Sequence, residues 1–288
     1  MFASTFREDE LGVAGADGVR VRWLGTAGFA IEHQGTTILF DPYLTRASLL
    51  TCVTSRLVSD ARLLAAHTPR ADAIVVGHTH FDHALDVPAI ASLTGARVYG
   101  SRSAVKLCRA SGLPEARLHD VEGSPGAEAV VAEVGPFELR FHPSAHSRFA
   151  LGRVPFPGEI ADCDQVPLRL QHYRCGAVFA VEIRVAGRTI LHMGSAELIE
   201  STLPVREPDL LLLCAAGWTS SPNLPERVAR AVAPRAVLLS HWDDFFRTME
   251  LPARPLPALQ LSRLVERLEK ANRDAKVGIV PILGGVWV

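Results

Sequence analysis

The chain of 288 residues is 48% hydrophobic and 21% charged, proportions of an ordinary globular protein that exclude a disordered or fibrous one. Its 30 basic and 31 acidic side chains leave a formal charge of -1, so no whole-molecule field draws it to nucleic acid. The longest apolar stretch, residues 210–218, falls well short of the ~20 residues that span a bilayer, so no membrane crossing is expected.

Residues 1–10 are acidic where a secretory signal needs a basic start and an apolar core, so cytoplasmic residence is expected. Residues 19–23, 29–33 and 36–40 read as three short antiparallel strands, separated by Gly25-Thr26-Ala27-Gly28 and Gln34-Gly35. Residues 45–66 are mixed and helical in parts, and 73–77 form an apolar run of strand length that ends at a histidine cluster. Next come a helix from residue 87, a short strand over 97–99 and a helix over 104–110, then strand character over 129–142 around Gly135-Pro136. Residues 147–172 hold Gly152, Pro155, Pro157, Gly158 and Pro167, which predicts a long loop placed to shape substrate access.

The second half restarts with paired strands over 177–185 and 188–192, followed by buried-looking strands over 210–214 and 236–240. A helix over 257–271 puts Leu261, Leu264, Val265 and Leu268 on one face, opposite Arg263, Glu266, Arg267 and Glu269, with Pro257 in its first turn. Because the two halves share an order of elements, one domain over 1–288 is expected, two β layers packed face to face between helices, αββα. The five cysteines, Cys52, Cys108, Cys163, Cys175 and Cys214, are odd in number and form no CxxC pair, so reduced, structural thiols are expected.

The run His78-Thr79-His80-Phe81-Asp82-His83 puts four candidate ligands into six residues where a strand gives way to a loop. Imidazole nitrogen and carboxylate oxygen suit zinc and similar divalent ions, and a catalytic site takes about three such ligands and leaves a position for water. His78 and His80, two apart at a strand end, can point the same way, while Asp82 and His83 lie just beyond and can face a second ion beside the first. A single loop histidine is more often a plain polar residue; it is the density of donors that sets this run apart.

That run matches in full the HxHxDH motif of the metallo-β-lactamase superfamily, which the chain resembles over nearly its whole length. Gly25-Thr26-Ala27-Gly28, Phe40-Asp41-Pro42, His146 in Pro143-Ser144-Ala145-His146-Ser147 and His241 follow in the family's order. The resemblance implies that His78, His80 and His146 hold one ion and Asp82, His83 and His241 another, with Asp41 behind the ligands. It implies zinc, one or two ions, with manganese or iron as the other metals. Where the family carries a Gly-Asp pair whose carboxylate bridges the ions, this chain reads Gly194-Ser195, and a neutral hydroxyl is a much poorer ligand. Three arrangements stay open: two ions bridged only by hydroxide, which is preferred because six ligands remain; a single ion; or Glu197 reaching in.

The function so implied is a metal-dependent hydrolase in which metal-bound hydroxide attacks a carbonyl or phosphoryl centre. Asp82 and His172 are the candidate catalytic groups, His172 with Tyr173 placed to orient substrate or donate a proton. Ser195 lacks the GxSxG surroundings of an activated nucleophile. Trp242, Phe245 and Phe246 suggest an apolar wall beside His241, and His33, His67, His119, His142 and His192 read as structural. The Trp23-Leu24-Gly25-Thr26-Ala27-Gly28 opening and the His146 segment look most similar to the branch containing bacterial ascorbate-phosphate lactonases and phospholipid-cleaving phosphodiesterases. That branch implies a small-molecule or lipid substrate with an ester, lactone, thioester or phosphodiester bond. The alternatives are a redox iron protein and a metal-binding scaffold without catalysis on the same fold.

Overall fold

The computed structural model describes residues 3–15, 17–123, 129–149, 152–162 and 166–288. The first half runs β1 (Ser4–Thr5), β2 (Arg20–Gly25), β3 (Gly28–His33), β4 (Thr36–Phe40), α1 (Leu49–Thr54), α2 (Ala61–His67), β5 (Ala73–Val75), α3 (Phe81–Ala84), α4 (Val87–Thr94), β6 (Arg97–Gly100), α5 (Arg102–Ala110) and β7 (Leu118–Asp120). The second runs β8 (Val130–Val134), β9 (Phe137–Ser144), β10 (Val178–Val185), β11 (Arg188–Met193), β12 (Leu210–Cys214), α6 (Leu224–Ala231), β13 (Ala236–Ser240), α7 (Leu261–Ala271), β14 (Lys276–Ile279) and β15 (Gly285–Trp287).

Two mixed sheets result, ordered β15-β2-β3-β4-β5-β6-β7 and β1-β14-β13-β12-β11-β10-β9-β8. Side-chain alternation builds the layers. Phe29, Ile31, Ile38, Phe40, Ala73 and Val75 point into the core between the sheets, while Ala30, Leu39 and Ile74, one residue out of phase, pack toward the helical side with Ile90, Leu107 and Cys108. In β12 every residue is buried, because it lies mid-sheet between β11 and β13 with the other sheet on one side and α6 and α7 on the other. The αββα expectation therefore holds.

Strands β4, β12 and β13 have the bounds that the sequence predicts. The last helix begins at Leu261, not at residue 257, because Ala258 and Gln260 take left-handed backbone angles (φ 61° and 55°) that a helix does not tolerate. Its predicted stripe of Leu261, Leu264, Val265 and Leu268 is the buried one. The four described cysteines, Cys52, Cys108, Cys175 and Cys214, are buried free thiols, and Cys163 lies outside the described residues. No helix among the described residues is long and apolar enough to cross a membrane.

Candidate metal centre

Strand β5 stops at Val75 because the following backbone is claimed by both sheets. Val76 N donates to Tyr99 O (2.8 Å), Gly77 O accepts from Phe179 N (2.9 Å) and Thr79 N donates to Cys175 O (2.9 Å). The segment so pinned carries His78 and His80, and the His80 carbonyl then accepts from His83 N and Ala84 N (3.0 and 2.9 Å), opening the single turn α3 that carries Asp82 and His83. His146 follows the end of β9, and His241 the end of β13. Both sheets thus deliver ligands to one edge.

There the six side chains form two groups, His78–His80–His146 and Asp82–His83–His241, the donor atoms within each lying within 4.8 Å of one another. His78 Nε2 faces His80 Nδ1 at 3.1 Å, and His241 Nε2 lies 3.1 Å from Asp82 Oδ2. The rings of His78 and His83, one from each group, lie with centroids 3.8 Å apart and planes tilted by 47°. Carbonyl oxygens only accept, so they fix two tautomers. His80 Nε2 donates to Pro155 O (2.8 Å), leaving Nδ1 as its lone pair, and His146 Nδ1 donates to Ser147 O (2.6 Å), leaving Nε2.

The donor set suits divalent ions electrostatically as well. Burial, reinforced by the neighbouring imidazoles, holds His78 well below the ordinary histidine value and takes His146 down to about 3. Burial likewise lowers His80, with Asp82 and the Pro155 carbonyl pulling the other way. Neutral imidazole is the form that ligates. For Asp82 burial favours the acid, but His83 and the hydrogen bond from His241 outweigh it and keep the carboxyl well below its usual range.

Asp41 sits behind His83, its Oδ2 3.0 Å from Nδ1, while its Oδ1 accepts from Gly77 N at 2.6 Å. A β-carbon on Gly194 would stand 2.6 Å from Asp41 Oδ2, so glycine there is what lets the carboxylate approach. The next residue, Ser195, uses its hydroxyl to accept from Ser147 N (3.0 Å), beside His146. Glu197 does not enter either group; its carboxylate meets Arg227 at 2.6 Å.

Other sequence-predicted residues are less concentrated. Phe245 packs against the His241 ring (5.0 Å), but Trp242 packs against Trp23 (5.1 Å). Tyr173 is buried in the helical-side core. His172 is exposed, and the structure does not bring it to either group. His142 pairs with Glu182 (3.1 Å), and His192 faces the Ala27 carbonyl (3.2 Å). Sequence reasoning missed Pro155 and Ser147, whose backbone oxygens leave no side-chain signal, and also Arg46 and Asp243, an ion pair whose members lie 197 positions apart.

A face-to-face pair of mixed sheets with a His-Asp cluster at its edge defines a metallo-β-lactamase-type fold. Residues 36–242 match the family described as the β-lactamase superfamily domain, and the chain belongs to that superfamily. It is 27% identical over 266 residues to a UPF0173 metal-dependent hydrolase of Myxococcus xanthus, covering 91% of this chain and 80% of that one. With a UPF0173 metal-dependent hydrolase of Thermodesulfovibrio yellowstonii it shares 25% over 274 residues, 93% and 90% of the two chains. Two solved structures have the same fold: Igni18, a metallo hydrolase of Ignicoccus hospitalis (TM-score 0.58, 16% identity, 94% of this chain and 98% of that one), and CmlA, a diiron β-hydroxylase of Streptomyces venezuelae (TM-score 0.59, 14% identity, 96% and 54%).

Proposed function

We propose that the chain is a metal-dependent hydrolase holding two divalent ions, zinc foremost, one in His78–His80–His146 and one in Asp82–His83–His241. Its substrate is a small molecule or lipid with an ester, lactone, thioester or phosphodiester bond. The reading is carried by the convergence of six donor atoms in two groups of three, two of the rings being held in the ligating tautomer by backbone carbonyls. The relatives named metal-dependent hydrolases, which align over most of the chain, support it.

Ions bound there supply Lewis acidity and lower the pKa of water toward neutrality. Asp82, kept ionised, contributes the one negative charge among the six donors and accepts from His241. With Ser195 in the bridging position and its hydroxyl engaged with Ser147 N, no carboxylate bridges the ions, so the second ion, in the Asp82 group, binds more weakly than it would beside a bridging aspartate. A cavity of about 360 Å³ borders His146 and is walled by Val154, Pro157, Ala177 and Phe179. It suits the apolar part of a small substrate beside the donors.

A panel of nitrophenyl esters, lactones, acyl thioesters and a phosphodiester, run on zinc-, manganese- and iron-loaded protein, tests this. Turnover of one class, lowered by about a hundredfold or more in His80→Ala, is expected. Full metal loading without turnover of any class overturns it in favour of a scaffold, and oxygen consumption by the iron-loaded protein alone favours a redox site.

A further inference from the structure

Arg46 and Asp243 stand outside both ligand groups, yet they are among the most enclosed charges in the molecule, with side chains 2% and 0% exposed and Nη2 2.5 Å from Oδ2. The same guanidinium donates from Nη2 to Asp244 O (2.9 Å) and from Nε to Arg247 O (2.6 Å). On its other side the Asp243 carboxylate accepts from Thr26 N at 3.1 and 3.3 Å. Thr26 O in turn accepts from His241 N (2.7 Å) and from the Trp23 indole (2.9 Å). An unbroken chain of hydrogen bonds therefore leads from Arg46 through Asp243 and Thr26 to the backbone of His241.

That backbone is strained. His241 has φ 53°, and Thr26 and Arg46 have φ 51° and 50°, a region non-glycine residues hold only where their surroundings over-determine it. Gly25 has φ 93°, and a β-carbon on it would stand 2.5 Å from Arg46 Nη1, so the Gly25-Thr26-Ala27-Gly28 turn is cut to fit beneath the guanidinium. An ion pair this deeply buried is seldom the most stable filling for its space, which directs attention to what it holds in place.

We propose that the Arg46–Asp243 pair is the positioning device for His241. It fixes that residue's backbone before an ion arrives, and so builds the Asp82–His83–His241 group separately from His78–His80–His146, whose own supports are the Pro155 and Ser147 carbonyls. The inference rests on the two groups being metal sites. It adds that their affinities are set by different parts of the chain.

Zinc titration calorimetry on wild type, Asp243→Asn and Arg46→Lys, with circular dichroism to monitor folding, is the test. Two binding steps are expected in wild type. Asp243→Asn should weaken the second at least tenfold and leave the first unchanged, and Arg46→Lys, which keeps the charge but not the fork of donors, should fall between. Folded variants that keep a wild-type second step, or that lose both steps equally, overturn the inference alone. A wild type that takes up no zinc overturns the metal reading itself and the inference with it. Should a variant fail to fold, hydrogen exchange on metal-free wild type decides: His241 and Thr26 amides as protected as those of β13 are expected, and exchange at exposed-loop rates overturns the proposal.

Discussion

At the scale of the residue, burial and neighbouring charge shift the proton affinity of five imidazoles in and around the ligand groups, His78, His80, His83, His146 and His192. Burial first, and then neighbouring rings, hold His78 and His146 below the ordinary histidine range, and burial does the same for His80 and His192. In the unfolded chain such rings titrate near ~6.5. Between the depressed folded values and ~6.5 the unfolded state binds more protons, so stability rises with pH. His83 acts oppositely: burial resists its charging, but Asp41 and Asp82 prevail and raise it, so its contribution is full below ~6.5 and is lost as pH rises through the raised value. The four lowered rings outweigh the one raised, and the melting temperature of metal-free protein should fall between about pH 7.5 and pH 5. A flat or rising melting temperature would contradict this. Asp41→Asn, which weakens the anion behind His83, should reduce affinity for the second ion about 10- to 100-fold in a zinc titration. His172→Ala, altering an exposed ring, should leave metal content unchanged and turnover within about tenfold of wild type. The HxHxDH run was legible because its donors are close in sequence. Arg46 and Asp243 were not, because a pairing across 197 positions has no local pattern.

At the scale of the element, the readable pieces are those whose pattern decides their state. The stripe of α7 was visible in the sequence because burial on one side imposes a period on it, and β3 and β4, buried on both faces, because turn residues bound their short runs. The start of α7 was misplaced because Pro257 fits a first helical turn by its own preference, whereas Ala258 and Gln260 take left-handed backbone angles. Strands β1, β14 and β15 are two to four residues long, too short for periodicity to register, and exist because a distant partner strand accepts them. Helix α6 escaped notice although it packs beside α7. In α7 itself, Leu264→Ala should cost about 2–5 kcal/mol of stability in denaturant titration, through transfer and cavity terms together. Because the helix lies on the far side of its sheet from the ligands, metal content should not change; a matching loss of metal would show that this layer tunes the site.

At the scale of the whole molecule, each sheet closes with a strand from the opposite end of the chain. β1 adds to β14 in parallel, and β15 pairs antiparallel with β2. Neither sheet is complete without the other half of the sequence. We therefore propose that the chain is one domain and unfolds in a single cooperative transition when metal-free, with coincident melting by near- and far-ultraviolet circular dichroism. Two separated transitions would contradict that. The same closure holds the ligand edge together, since His78, His80, Asp82 and His83 come from one sheet and His146 and His241 from the other. The most direct test is therefore metal content per chain by elemental analysis, on protein purified without chelator, for wild type, His80→Ala and His241→Ala. About two ions in wild type and about one in each variant are expected. A single ion indifferent to His241→Ala, or no metal in wild type, would contradict the two-site centre.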